Sequence, residues 1–292
     1  MKFVALDLET TGLEAENDTI IEIGAIKFDN GKIIGEFKAL VNPGRPIPTM
    51  ATHITGITDE MVQDAPMFDA LKDELEEFLE DLPILGQNIK FDIGFLKSHG
   101  LTITAPQLDT FILARAIIPK AQSYSLEVLA DKLEITHTDA HRAYDDALAS
   151  VHLMQKLRLL LLKESDDILK KVLDFLENQE WSWKEFIYES IENKSNYTAD
   201  IESLSLNIYE DDEHGAPHKE EDHEEKIIPL EGKKITEGFI DPEKYEFSEK
   251  TLVALPGTRA YYYPTQSFKL KHNSLIPKKF EELLTKNIQW GE

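Results

Sequence analysis

The sequence predicts a layered α/β or α+β fold in which an antiparallel meander of three strands leads into strand and helix alternation. Three observations carry this. Short apolar, β-branched runs crowd residues 3–41, apolar residues recur at helical spacing from 69 onward, and a brief apolar run at 83–86 separates two helical stretches.

In chain order, Phe3 to Leu8 reads as a strand that ends in acids. Thr19 to Phe28 is β-branched with partial alternation, and Lys32 to Val41 follows the Asn30-Gly31 turn signal. Asp69 to Leu82 places Leu71, Leu75, Phe78, Leu79 and Leu82 on one helical face, and Pro83 to Gly86 reads as a short buried strand. Helices are expected from Lys90, over Asp109 to Ile117, over Ser125 to Leu133 with Ser125 as N-cap, and over Ala143 to Lys163. Residues 164–194 extend the helical pattern through Ile168, Val172, Phe175 and Leu176. Tyr209 to Lys226 holds nine acids and two lysines with almost nothing apolar, so residues 195–226 are expected to be a flexible acidic linker. Beyond it, β-prone pieces (Thr251 to Leu255, Tyr261 to Tyr263) and a helix over Pro277 to Lys286 suggest a small C-terminal α+β module, residues 227–292. No repeat at solenoid or propeller periods is visible.

Composition narrows the chemistry. The 292 residues are 41% hydrophobic, ample for a core, and the longest apolar run, Leu159 to Leu162, is far short of the ~20 residues a membrane span needs. With no apolar leader before Asp7, a cytoplasmic protein without membrane association is expected. There is no cysteine, which excludes disulfides, thiolate metal sites and cysteine nucleophiles and leaves carboxylates and nine histidines. Hard cations with oxygen ligands become the natural metals. The net charge of −24 disfavours broad phosphate neutralisation along duplex DNA, but not the gripping of one strand end through metal ions.

Asp7 and Glu9, two residues apart at a strand end, point to the same side. Such a pair repels itself unless a cation neutralises it; an isolated D-x-E is otherwise a solvated strand edge. Context decides. Asp7-Leu8-Glu9-Thr10-Thr11-Gly12-Leu13 resembles the first signature of the DEDDh exonucleases, the family of the proofreading epsilon subunit of bacterial DNA polymerase III. Gly86-Gln87-Asn88-Ile89-Lys90-Phe91-Asp92 resembles the second signature, and His141-Arg142-Ala143-Tyr144-Asp145-Asp146-Ala147 the third, in the family's order over about residues 1–160. Asp109-Thr110, Leu113-Ala114-Arg115 and Ser125-Leu126 are similar to the helical connection between the second and third signatures. The tyrosine-bearing subclass does not fit, since Tyr144 has Leu148 four residues on.

The resemblance implies an RNase H-like mixed sheet flanked by helices over residues 1–163. It also implies 3′–5′ hydrolysis of phosphodiester bonds at a single-stranded DNA end, in proofreading or repair. The resemblance assigns Asp7, Glu9, Asp92 and Asp146 as ligands of two Mg2+, with Mn2+ as an alternative, and His141 as general base. If His141 lay inside the helix, Asp145 would face it; the family pattern puts the histidine ahead of the helix and selects Asp146. Thr10 and Gly12 are candidates to approach the terminal nucleotide, though Thr11-Gly12 could equally turn the chain. Ile54 to Thr58 resembles the family's substrate loop, with Thr55 where histidine often stands and His53 as a possible stand-in or a surface residue. Asp109 reads as a helix cap and His137 as a solvated loop residue. The basic and aromatic residues around Arg259 and Tyr261 to Tyr263 read first as an ordinary strand with surface lysines, and Ser203 to Leu206 resembles only faintly a clamp-binding peptide. RNA as substrate, and an inactive scaffold, are the competing readings; the intact acid set speaks against the scaffold. A polymerase, helicase or sliding clamp is the class of partner implied.

Overall fold

The computed structural model describes residues 1–203 apart from 119, 120, 122, 138 and 139, and beyond them residues 227–230, 233–236, 280, 283 and 284. The chain divides into two compact units, Met1–Ile208 with Ser274–Glu292, and Tyr209–Asn273.

In the first unit, β1 (Lys2–Thr10), β2 (Ile20–Asp29) and β3 (Lys32–Leu40) form the expected antiparallel meander. β4 (Ile84–Gly86) and β5 (Gln107–Asp109) join it as parallel neighbours, giving the mixed order β3-β2-β1-β4-β5. β1 is therefore the strand at which the sheet changes from antiparallel to parallel. The strand order also reverses there, between β1 and β4, and crevices outside the carboxyl ends of strands at such a reversal are where open α/β sheets place ligands.

Both faces of the sheet are covered, which explains why β1 and β2 are apolar almost throughout. Phe3, Ala5, Ile26 and Phe28 pack under α7 (Ala143–Leu162) with α5 (Thr110–Ile117) and α6 (Leu126–Lys132). Val4, Leu6, Leu8, Ile23 and Ala25 pack against α3 (Phe68–Leu79) and α4 (Lys90–Ser98) on the other face. Alternation then assigns Asp7 and Glu9, in step with Phe3 and Ala5, to the α7 side. Glu22 and Gly24 lie on that side too, in step with Ile26 and Phe28. Here α7 crosses β2 so closely that a Cβ at Gly24 would lie 2.2 Å from the Tyr144 backbone nitrogen. The helix opens with Ala143 and Ala147 buried against this crossing.

α1 (Thr49–Thr55) and α2 (Asp59–Val62), both too short to show a period, bury Ile47, Ala51, Ile57 and Val62 against Ile21 of β2. α3 stops at Leu79, three residues short of the expected Leu82, where Glu80 turns to φ 50° and is held by Lys2 and Lys27. Residues 107–109 are a strand, so Asp109 ends β5 and caps α5 at once. The stretch 164–194 breaks into α8 (Asp166–Leu176) and α9 (Lys184–Glu192), and both share the α7-side core, where Phe280 and Leu284 are also buried. Helix continues past residue 195, in a 3₁₀ turn at Lys194–Tyr197 and in α10 (Thr198–Ser203).

In the second unit the described residues form an antiparallel hairpin of β6 (Ile227–Leu230) and β7 (Lys233–Thr236). The acidic run 209–226, the pieces at 251–255 and 261–263, the cluster around Arg259 and residues 204–206 lie outside the described residues.

Candidate active site

Asp7 and Glu9 emerge from under α7 at the carboxyl end of β1. Glu9 is buried, and Asp7 keeps part of its surface open although protein surrounds it. β4 delivers the third acid: the chain turns at Asn88 (φ 55°) and starts α4, whose first turn carries Asp92. Asp92 is 3% exposed, and its Oδ1 accepts the Leu8 backbone N–H at 2.9 Å. That bond pins the first turn of α4 to the backbone between Asp7 and Glu9. Asp109 supports this turn, because its Oδ1 accepts from both the Asn88 and Phe111 backbone N–H groups at 3.0 Å. Burial, opposed by these hydrogen bonds, raises its pKa to about 6. From the far side Trp183 donates its Nε1–H to the Asp109 carbonyl at 3.1 Å.

The approach to α7 completes the cluster. His141 stands ahead of the helix in a left-handed conformation (φ 66°), and Asp146 lies in the first turn. Glu9, His141 and Asp146 each offer one ligand-capable atom, all within 4.8 Å of one another. Asp145 has no place in that group, in keeping with a histidine that precedes the helix. Asp146 Oδ1 accepts the His141 backbone N–H at 3.3 Å and lies 2.5 Å from His137 Nε2.

His137 is therefore no solvated loop residue: its side chain is 9% exposed and engaged with Asp146. The hydrogen bond to Asp146 raises its pKa, with partial burial opposing. Spacing gave no hint of this, since the contact depends on how the 133–142 segment folds back. A second pair escaped sequence reasoning. Glu22, directly opposite Glu9 in the β1–β2 register, is bound by the Arg142 guanidinium at 2.5–3.1 Å and accepts the Ala143 N–H at 3.0 Å. An acid inside the β-branched run Ile20-Ile21-Glu22-Ile23 was the available signal.

Burial is the largest cause that raises the pKa of Asp7, followed by the charges of Asp92, Asp146, Glu9 and Glu22. Glu9 is raised by burial and then by Asp146, Glu22 and Asp92, with Arg142 opposing. Asp92 is raised by burial despite its backbone hydrogen bonds. Crowded carboxylates that resist ionising together, offering hard oxygen donors beside an imidazole, fit divalent cations.

The tentative substrate residues are placed less uniformly. Thr10 donates to the Gly12 carbonyl at 2.5 Å, and Gly12 is pressed against Asp18, whose Oδ2 would lie 2.4 Å from an added Cβ. Asp18 also accepts from Thr11 and Arg45, so this loop is folded around its carboxylate beside the acid cluster. Thr55 is buried, donates to the Ala51 carbonyl and accepts the Ile57 N–H, so its hydroxyl is engaged within the α1–α2 corner. His53 is exposed in the last turn of α1.

Comparison with known proteins gives concordant findings. The DNA polymerase III PolC-type protein of Caldanaerobacter subterraneus subsp. tengcongensis is 38% identical over 175 residues, which is 57% of this chain and 12% of that relative. The same-named protein of Thermotoga maritima is 39% identical over 185 residues, 59% of this chain and 13% of that one, so the chain spans about an eighth of the length of these relatives. Among solved structures, a zinc-bound complex of Escherichia coli ExoI with single-stranded DNA matches with a TM-score of 0.50 at 22% identity, over 58% of this chain and 43% of that chain, a likeness of fold. The exonuclease family model RNase_T matches residues 4–154. That span runs from β1 through the first turns of α7 and takes in all five acid and histidine candidates, and the chain belongs to the RNase_T exonuclease family.

Proposed function

We propose that the chain is a metal-dependent 3′–5′ exonuclease that hydrolyses the terminal phosphodiester bond of single-stranded DNA and releases nucleoside monophosphates. The carrying observation is the meeting of Asp7, Glu9, Asp92, His141 and Asp146, from three separate stretches of sequence, at the carboxyl end of β1. Asp7, Glu9, Asp92 and Asp146 would hold two Mg2+, or Mn2+. Bound there, the cations supply charge stabilisation for the attacking and leaving oxygens and ease the ionisation of water. His141, beside Glu9 and Asp146, takes the proton of the attacking water on its imidazole. Its position ahead of α7 supports that role, because the ring approaches the cluster without being carried round by the helix. The 10–18 loop, with Thr10 and Gly12, and the exposed His53 are the proposed contacts to the terminal nucleotides. The PolC-type names of the relatives support a setting in replication proofreading or repair, with a polymerase as the proposed partner and the cytoplasm as the location. The test is the full chain with Mg2+ or Mn2+ on end-labelled single strands of DNA and RNA. Stepwise shortening of DNA from the 3′ end, abolished by EDTA, is expected. Hydrolysis that persists in excess EDTA, with bound metal excluded by elemental analysis, overturns the metal dependence, and a preference for RNA overturns the substrate.

A further inference from the structure

We propose that Glu22 and Arg142 form a positioning pair that holds His141 in its reactive placement ahead of α7. The inference rests on the proposed hydrolysis only in giving His141 a task; the clamp itself is read from geometry.

Glu22 is an acid buried to 8% exposure in a central strand, where an ionised carboxylate is costly to stability unless it is fully paired. It is fully paired. The Nε and Nη2 of Arg142 and the backbone N–H of Ala143 all donate to its two oxygens. A well-packed apolar pair would serve stability as well or better, so the use of this ion pair points to geometry. The two residues gripped, 142 and 143, directly follow His141. Their fixing determines where the chain leaves His141 and how α7 begins. His141 itself occupies the left-handed region at φ 66°, which a non-glycine residue keeps only when its surroundings impose it. Two supports are visible there: the His141 N–H to Asp146 Oδ1 on one side and the Arg142–Glu22 fork on the other. Gly24, two residues along β2 on the same face, lets the helix start settle onto the strand with no side chain between them. Glu22 thus acts through the backbone around His141, and Arg142 sets its charge beside Glu9, the residue opposite Glu22 in the register.

The test uses the full chain and two readouts, one independent of catalysis. In steady-state cleavage of an end-labelled single strand at saturating Mn2+, Arg142→Gln and Glu22→Gln are each expected to lower kcat about 100-fold with KM within about threefold. The double variant should be no more than about threefold slower than the slower single, since both remove one device. Arg142→Lys, with the charge but not the fork, should recover about tenfold over Arg142→Gln. The second readout is the imidazole Cε1–H resonance of His141 in the metal-free labelled protein, assigned with His141→Gln, which is expected to move in both single variants. Single variants within threefold of wild-type kcat with an unmoved His141 resonance overturn the pair, as do losses that multiply in the double variant. If the wild-type chain cleaves no 3′ end, the proposed function fails and the resonance alone decides the pair. Should the glutamine variants not fold, Arg142→Lys and Glu22→Asp carry the same two readouts.

Discussion

Asp7 feels four other carboxylates, Asp92, Asp146, Glu9 and Glu22, and has burial against its charge as well. Asp7→Asn should therefore do two opposite things. Cleavage should fall at least about 10³-fold, roughly 4 kcal/mol in barrier, measured on a labelled strand at saturating Mn2+. The metal-free variant should melt higher, because the neutral amide removes a charge that burial and the neighbouring carboxylates oppose. The pH dependence follows from the same sign. Asp7, Glu9 and Asp92 have folded pKa values raised above the unfolded range, and Asp109 reaches about 6. Groups of this kind bind protons more tightly when folded, so their stabilising contribution is complete below about pH 4 and is lost as pH rises through the folded values. Thermal melts in EDTA should show wild-type stability declining from about pH 4 to 6 and above, and declining less in Asp7→Asn. A decline of equal size in the two proteins would remove Asp7 from the account. The tandem acids make a second residue-scale prediction. Asp146→Asn should abolish cleavage, whereas Asp145→Asn, about 100° away on the helix, should change it by less than about tenfold. The reverse ranking would shift the register of the third signature by one residue.

At the scale of elements, the crossing of α7 over β2 decides whether the cluster assembles. Gly24→Ala would place a methyl group 2.2–2.3 Å from backbone atoms of Tyr144 and Ala143, which no rotamer change relieves. Overpacking of this kind costs about 1–3 kcal/mol, a fall of roughly 2–4 °C in Tm for each kcal/mol. Cleavage should fall further than the lost stability accounts for, because the helix start carries His141 and Asp146; an unaffected kcat would show that the crossing tolerates a shift. The meander was legible in the sequence because β-branched runs and Asn30-Gly31 are local signals, and so was α7, a twenty-residue run without glycine or proline. Asp7, Glu9, Asp92, His141 and Asp146 were legible as a set through the order of their signatures. α1, α2 and β5 were not: β4 and α6 are as short but carry a local signal, the apolar run after Pro83 and the Ser125 cap, whereas these three owe their existence to what they pack on. His137 and the Glu22–Arg142 pair were hidden for a different reason: partners 9 and 120 residues apart meet only once the sheet and helix are in place.

Across the first unit, residues 1–163 and the helices after them share one core. Ile168, Leu169, Val172, Leu176, Trp183, Phe186 and Ile187 are all buried in it. At roughly 2 kcal/mol for each buried side chain, their removal costs about 14 kcal/mol, near the top of the ~5–15 kcal/mol by which most domains are stable. A chain ending at Lys163 should give no cooperative melt by circular dichroism, whereas one ending at Ser203 should melt cooperatively, below the full chain because Phe280 and Leu284 are missing. A folded, active 1–163 fragment would show that α8 and α9 only decorate the surface. Among the described residues no helix is long and apolar enough to cross a membrane. The bond from Trp183 to the Asp109 carbonyl gives the molecule an optical property of its own. An indole 1% exposed, hydrogen-bonded at Nε1 and set edge-on to Phe186 at 5.2 Å emits to the blue of a hydrated one. Because that bond ends on the residue whose carboxylate steadies the Asn88 turn, the emission of Trp183, isolated by replacing Trp181 and Trp290 with phenylalanine, is expected to shift to the red when that support of the acid cluster is lost.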